Sequence, residues 1–187
     1  MTPLRFPDPP LVDETVRLRP WTAADVPAKL MGFGDESVQR FVWPQTSDYT
    51  AADARAYFDA QEDARLRGEE LNFAFVDPQD ADAMLGGGSL YGVDLGQARA
   101  AVGYWLGPHA RGRGVASHAV RLLAGWAFDE LGVARIELTC APENEASQRV
   151  ALRCGFVREG VLRSHIPFKG ASRATVMFSL LPGELRR

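Results

Sequence analysis

The stretch Gly103-Tyr104-Trp105-Leu106-Gly107-Pro108-His109-Ala110-Arg111-Gly112-Arg113-Gly114-Val115-Ala116 reads as a strand, a tight turn and the first turn of a helix. The turn holds Gly112 and Gly114, interleaved with Arg111 and Arg113. Glycine lets a backbone approach a ligand closely and take a positive φ. The helix that follows aims unpaired N–H groups and a partial positive charge at the same place. A phosphate or pyrophosphate is the natural ligand of such a turn. A plain turn before an amphipathic helix is the competing reading. The two arginines count against it, because they add cationic reach to a terminus that already favours anions.

Two nucleotide motifs do not fit. A dinucleotide fingerprint G-x-G-x-x-G would place a third glycine where Ser117 stands, and would sit in the first strand–helix–strand unit rather than past mid-chain. The phosphate-loop spacing GxxxxGK[ST] is absent. A second constellation lies downstream, Asn144-Glu145-Ala146-Ser147 followed by Gly155-Phe156. Asn144 falls at a strand-to-helix corner and Ser147 one turn into the helix. Taken alone, these residues suit a helix cap, a tolerated first-turn serine and a glycine stop before a core aromatic.

The elements that position these residues follow from periodicity. Alternation over Thr15 to Arg19 predicts a half-buried strand, with Val16 and Leu18 on one side. Thr22 and Asp25 predict a capped helix over 23–32, short or kinked at Pro27. Val38 to Pro44, with Phe41 and Trp43, reads as a connection, and Thr50 caps a second helix to about Arg67. Strands follow at 72–76, at 84–93 with its glycines, and at 98–106. Apolar residues at 115, 119, 122, 123, 126 and 131 mark a helix that Gly132 ends. A strand over 135–141, a helix over 143–154 and two strands at 156–168 and 173–180 complete the chain. The strand–helix–strand unit over 98–141 demands a parallel pair. The expected class is therefore α/β (α+β), a mixed central sheet of about seven strands with helices on both faces.

Composition narrows the function. The 187 residues suit one domain, expected over 13–187, behind an extended proline-bearing tail over 1–12. The net charge of −3 is spread along the chain, so no clustered basic face exists for nucleic acid. No apolar run reaches membrane-spanning length, and no signal-peptide segment opens the chain, so a cytoplasmic location is expected. Cys140 and Cys154 form no metal-ligand pattern, and no metal is expected.

Together the two constellations resemble a known family. Arg111-x-x-Gly114-x-Ala116 is similar to the [Q/R]-x-x-G-x-[G/A] acetyl-coenzyme A signature of the GNAT N-acetyltransferases, and Asn144-x-x-Ser147 … Gly155-Phe156 to the motif that follows it. Val16-Arg17-Leu18-Arg19-Pro20, Phe41-x-Trp43, Gly103-Tyr104-Trp105-Leu106 and Gly155-Phe156-x-x-Glu159-Gly160-x-Leu162-Arg163 bring it nearer the RimJ/RimL branch, which acetylates protein N-terminal amines. The resemblance spans roughly residues 14–181. It departs at Ala101, where relatives often carry an acid.

The resemblance implies direct acetyl transfer from acetyl-CoA to an amine in a ternary complex, with parallel strands 4 and 5 splaying apart after Leu106. Trp105, Leu106, Arg111, Gly112, Arg113, Gly114, Val115, Ala116, Ser117 and Asn144 would hold the coenzyme. The Leu106 N–H would polarise the thioester carbonyl and Ser147 would serve the departing thiolate. Glu137 is the first candidate for the base, with Glu159 behind it and a water-relayed base as the alternative, and Phe41, Trp43 and Tyr91 are candidates for the acceptor wall. The acceptor is expected to be a peptide or protein N-terminal amine. A small amine such as an amino sugar, polyamine or antibiotic, and a non-catalytic acyl-CoA sensor, are the alternatives. A homodimer is compatible with the resemblance.

Overall fold

In the computed structural model, which describes residues 2–186, seven strands form one mixed sheet in the order β1-β2-β3-β4-β5-β7-β6. The strands are β1 (Arg17–Pro20), β2 (Leu71–Val76), β3 (Met84–Asp94), β4 (Arg99–Leu106), β5 (Arg135–Cys140), β6 (Val157–Phe168) and β7 (Ala171–Leu180). The helices are α1 (Val26–Phe33), α2 (Glu36–Phe41), α3 (Ala51–Leu66), α4 (Val115–Glu130) and α5 (Glu145–Cys154). All neighbouring strands are antiparallel except β4 and β5. The crossover between those two is α4, as a parallel pair requires.

Strand alternation sorts side chains onto two faces. Leu18, Phe73, Phe75, Leu90, Val102, Ile136 and Leu138 pack with Val115, Ala119, Leu123 and Ala127 of α4 and Ala151 and Cys154 of α5. On the opposite face Ala74, Val76 and Trp105 pack with Trp21, Phe33, Val38, Tyr49 and Ala54 under α1, α2 and α3. Trp105 stacks on Trp21 at 6.3 Å and meets Phe33 edge-on at 5.3 Å. The N-terminal segment lies along this body. Leu4 is buried and exchanges hydrogen bonds with Arg65, and Phe6 meets Phe73 edge-on. Among the described residues no helix is long and apolar enough to cross a membrane.

Two features differ from the expectation. The segment expected as a connection contains α2, because the Asp35 carboxylate caps it by accepting from the N–H groups of Ser37 and Val38. The breaks at Gly32 and Gly34 concealed this cap. Second, β4 and β5 pair only at Arg99↔Arg135, Ala100↔Ile136 and Ala101↔Glu137. The two strands therefore part before Val102, not after Leu106. On its other edge β5 stays paired with β7, from Ile136↔Leu180 to Cys140↔Val176, so it is the β4 edge that is left open.

Candidate active site

The parting of β4 from β5 opens a cleft of about 400 Å³. β4 supplies Tyr104, Trp105 and Leu106, and α2 supplies Ser37, Val38 and Phe41. The glycine turn and the first turn of α4 close one end, and Asn144, Ser147 and Val150 of the α5 corner close the other side.

At the turn, Gly112 and Gly114 have φ of +74° and +84°. These left-handed angles favour glycine, and they fold the chain so that α4 begins with its first amides pointing out. The first N–H of that turn accepted within the helix is that of His118, which donates to the Gly114 carbonyl at 3.1 Å. The N–H groups of Val115, Ala116 and Ser117 precede it and face the cleft mouth without an intrahelical partner. Their side chains are buried, so the terminus offers main chain to a ligand.

Arg111 occupies a different place from the one expected of a phosphate ligand. Its guanidinium pairs with the Asp35 carboxylate and donates to the Leu106 carbonyl at 3.0 Å. Burial works against the Asp35 charge, but the Arg111 hydrogen bond and the amides of α2 hold its pKa below the ordinary value. Arg111 thus ties α2 to β4, and Arg113 is exposed and has no polar partner among the described residues.

The strand itself presents backbone. The Gly107 N–H donates to the Leu85 carbonyl of β3 at 2.9 Å. Alternation then turns the Leu106 N–H the other way, into the gap that β5 has left. Trp105 contributes only its backbone to the cleft, because its ring lies in the aromatic cluster under α1.

Asn144 caps α5 by accepting the Ser147 N–H at 3.1 Å. Ser147 in turn receives a hydrogen bond from the Tyr104 hydroxyl at 3.1 Å. Burial pushes the Tyr104 phenol well above its ordinary pKa, against a smaller opposing effect of the Ser147 hydrogen bond. Tyr104 is a site residue that neither sequence motif marks as functional. Its signal was alternation, which places it on the α5 side with Val102 and Ala100.

The face toward α1 and α3 carries the remaining candidates. Glu137 stands beside Ala101 in the parallel register, and Tyr91 is the partner of Ala101 on β3. The Tyr91 ring lies across Gly103, where a Cβ would meet it at 3.3 Å. Burial raises the pKa of the Tyr91 phenol, which lies near Thr139 and Glu137. Glu137 Oε1 accepts from Arg135 Nε at 2.8 Å. Glu159 instead receives both terminal nitrogens of Arg135 and the Ser179 hydroxyl, which hold its pKa down to about 2. That makes Glu159 a brace between β6 and β5. Phe41 lines the cleft, whereas Trp43 packs on Tyr49 and Phe33 and donates its indole N–H to the Ser47 carbonyl. Among the described residues no cluster of potential metal ligands occurs.

Residues 15–157 match the family model of the acetyltransferase (GNAT) domain. The "Uncharacterized N-acetyltransferase p20" of Bacillus licheniformis is 30% identical over 176 residues, covering 93% of this chain and 97% of that one. The ribosomal-protein-serine acetyltransferase of Escherichia coli (strain K12) is 32% identical over 82 residues, covering 44% of this chain and 46% of that one. In three dimensions, Mycobacterium smegmatis RimJ in complex with CoA-disulfide superposes with a TM-score of 0.81 at 24% identity, covering 92% of this chain and 84% of that one. With a glycine turn feeding a helix N-terminus, a strand pair that parts beside it and this family match over most of its length, the chain belongs to the GNAT acetyltransferases and is an N-acetyltransferase.

Proposed function

We propose that the protein transfers the acetyl group of acetyl-CoA to the α-amine of a peptide or protein N-terminus, by direct attack in a ternary complex. The observation that carries this reading is the early parting of β4 and β5, which leaves the Leu106 N–H unpaired above a cleft ending at the free amides of α4. The cleft matches the coenzyme in sequence along its length. The amides of Val115, Ala116 and Ser117 take the pyrophosphate, with Arg113 and the glycines of the turn around it. The pantetheine arm pairs with the free edge of β4, where Asn144 orders the facing corner.

The chemistry then needs three things. The thioester carbonyl lies against the Leu106 N–H, which stabilises the oxyanion as the amine attacks. The amine nitrogen gives up a proton, for which Glu137, beside Ala101 and Tyr91, is the carboxylate we assign. Its Oε2 has no partner among the described residues, and its register beside Ala101 moves the acid one strand over from where relatives often carry it. The C–S bond breaks, and the thiolate takes up a proton while held by the Ser147 hydroxyl. Phe41 and Tyr91 border the space where the acceptor chain would lie. Such a reaction belongs to the cytoplasm, where acetyl-CoA and new N-termini meet.

Likeness to ribosomal-protein acetyltransferases supports the choice of acceptor. A thiol-release assay tests it with acetyl-CoA and peptides beginning with Ser, Ala or Thr, beside lysine, polyamines and an aminoglycoside. Turnover on peptides that disappears when the α-amine is blocked is the expected result. Turnover on small amines alone overturns the peptide reading, and coenzyme binding without turnover makes the protein a sensor.

A further inference from the structure

We infer that Tyr104 is a positioning residue that turns the Ser147 proton toward the sulfur of the leaving thiolate, an inference that rests on the acetyl-transfer reading above. A serine hydroxyl has one proton and two acceptor sites. Left alone it rotates, and its proton points at any acceptor in reach. Here the Tyr104 hydroxyl donates to Ser147 Oγ at 3.1 Å, filling one acceptor site. The Asn144 cap fixes the Ser147 backbone at 3.1 Å, so the Cα–Cβ bond is anchored as well. The other neighbour of the hydroxyl is the buried Cys140 thiol, a weak acceptor. That thiol lies within hydrogen-bond reach of Ser147, so the proton passes to the stronger acceptor once a thiolate forms in the cleft that both Tyr104 and Ser147 line.

The direction of the Tyr104–Ser147 bond is what makes the device work. Tyr104 stays protonated throughout the working range because burial opposes the phenolate. It can only orient Ser147 and strengthen the polarity of its O–H through a chain of two bonds. It does not itself yield a proton, since a buried phenol is a much weaker acid than the coenzyme thiol. The balance is simple. The amine nitrogen loses one proton as the C–N bond forms, the C–S bond breaks, and the sulfur ends with one proton. Ser147 holds the sulfur's charge by hydrogen bond until that proton arrives, and both hydroxyls finish as they began.

Phe at 104 removes one oxygen and keeps the ring that fills the core beside α5. Tyr104→Phe is expected to lower kcat about tenfold and leave KM for acetyl-CoA within about twofold, the pattern of an interaction made in the transition state. Ser147→Ala is expected to cost roughly 100-fold. The double variant should be no slower than Ser147→Ala within about twofold, because without Ser147 there is no proton to orient. A second reading needs no acceptor: the pH at which the thiol of bound coenzyme A ionises, followed by thiolate absorbance, should be lower in the wild-type protein than in either single variant. Unchanged kcat in Tyr104→Phe, additive losses in the double variant, or equal thiol ionisation in all three proteins overturns the inference. So does a raised KM with a lowered unfolding temperature, which would make Tyr104 a packing residue. If the wild-type protein turns over no amine, the acetyl-transfer reading falls. The thiol titration still decides whether the two hydroxyls act on the sulfur.

Discussion

At the coenzyme end of β4 the protein offers a ligand its main chain. Val115, Ala116 and Ser117 turn their side chains inward and their amides outward, and the departure of β5 uncovers the Leu106 N–H. Across the same strand, the acceptor face offers side chains already engaged with one another: Glu137 with Arg135, Glu159 with Arg135 and Ser179, Tyr91 over Gly103. Main-chain donors fixed by a fold serve one invariant ligand. Side chains can be exchanged without moving a strand, so the acceptor face is where specificity and the base can shift between relatives. Under the proposed reaction, Glu137, paired beside Ala101 on the next strand, takes that place.

The contrast is sharpest at Glu137. Glu137→Gln keeps the shape and the Arg135 contact while removing the carboxylate that the proposed reaction uses as its base. Its kcat/KM for a peptide acceptor should fall by roughly 100-fold, and its acetyl-CoA affinity should not move. Loss of coenzyme affinity would show that the two faces are not separable. Full activity would show that the proton leaves by another route.

On the coenzyme side the expected effects are smaller and fall on binding. Gly114→Val forces a β-branched residue to a φ of +84°, a strained position for any side chain. Acetyl-CoA affinity by calorimetry should weaken by about 30-fold. Arg113→Ala removes a charge without touching the main chain, and about fivefold is expected, fading at high salt. If Arg113→Ala cost more than Gly114→Val, side chains rather than amides would hold the phosphates.

How much of this was legible follows from the same division. The glycine turn, the Asn144 cap and Gly155 could be read because backbone conformations leave residue-type signatures. Gly112, Gly114 and Gly155 all have positive φ, and Asn144 caps α5 through its side chain. The parallel pairing of β4 with β5 followed from one crossover helix. What could not be read depended on partners distant in sequence. Arg111 meets Asp35 across 76 positions, and Tyr104 meets Ser147 across 43. The point where β4 leaves β5, after Ala101↔Glu137, depends on two strands that lie a helix apart in sequence, and no local pattern in β4 records it. The helix α2 was hidden for a milder reason: six residues show little periodicity, and its one clear mark is the Asp35 cap.

The smallest expected effect concerns the floor of the acceptor face and reads on stability. Lys29 of α1 is 2% exposed, with Nζ 3.5 Å from the centre of the Tyr57 ring, 4.6 Å from Phe33, 5.0 Å from Trp21 and 5.7 Å from Trp105. Burial pulls its pKa from 10.5 down to about 7, and the charge of Glu70 offsets only part of that. Between those two values the unfolded chain holds a proton on Lys29 that the folded chain has released, so stability rises with pH across that window. Below it both states carry the charge, and the folded protein bears the full cost of burying it, softened by the surrounding rings. Lys29→Met keeps the volume and removes the charge. The variant should melt about 3–6 °C above the wild-type protein at acidic pH, where the cost is complete. The gap should narrow steadily as the buffer is moved through neutral to alkaline pH. A gap that stays constant with pH would mean that Lys29 remains charged in its ring of aromatics, with cation–π attraction balancing desolvation, and the acceptor face would then hold a fixed positive charge at its base.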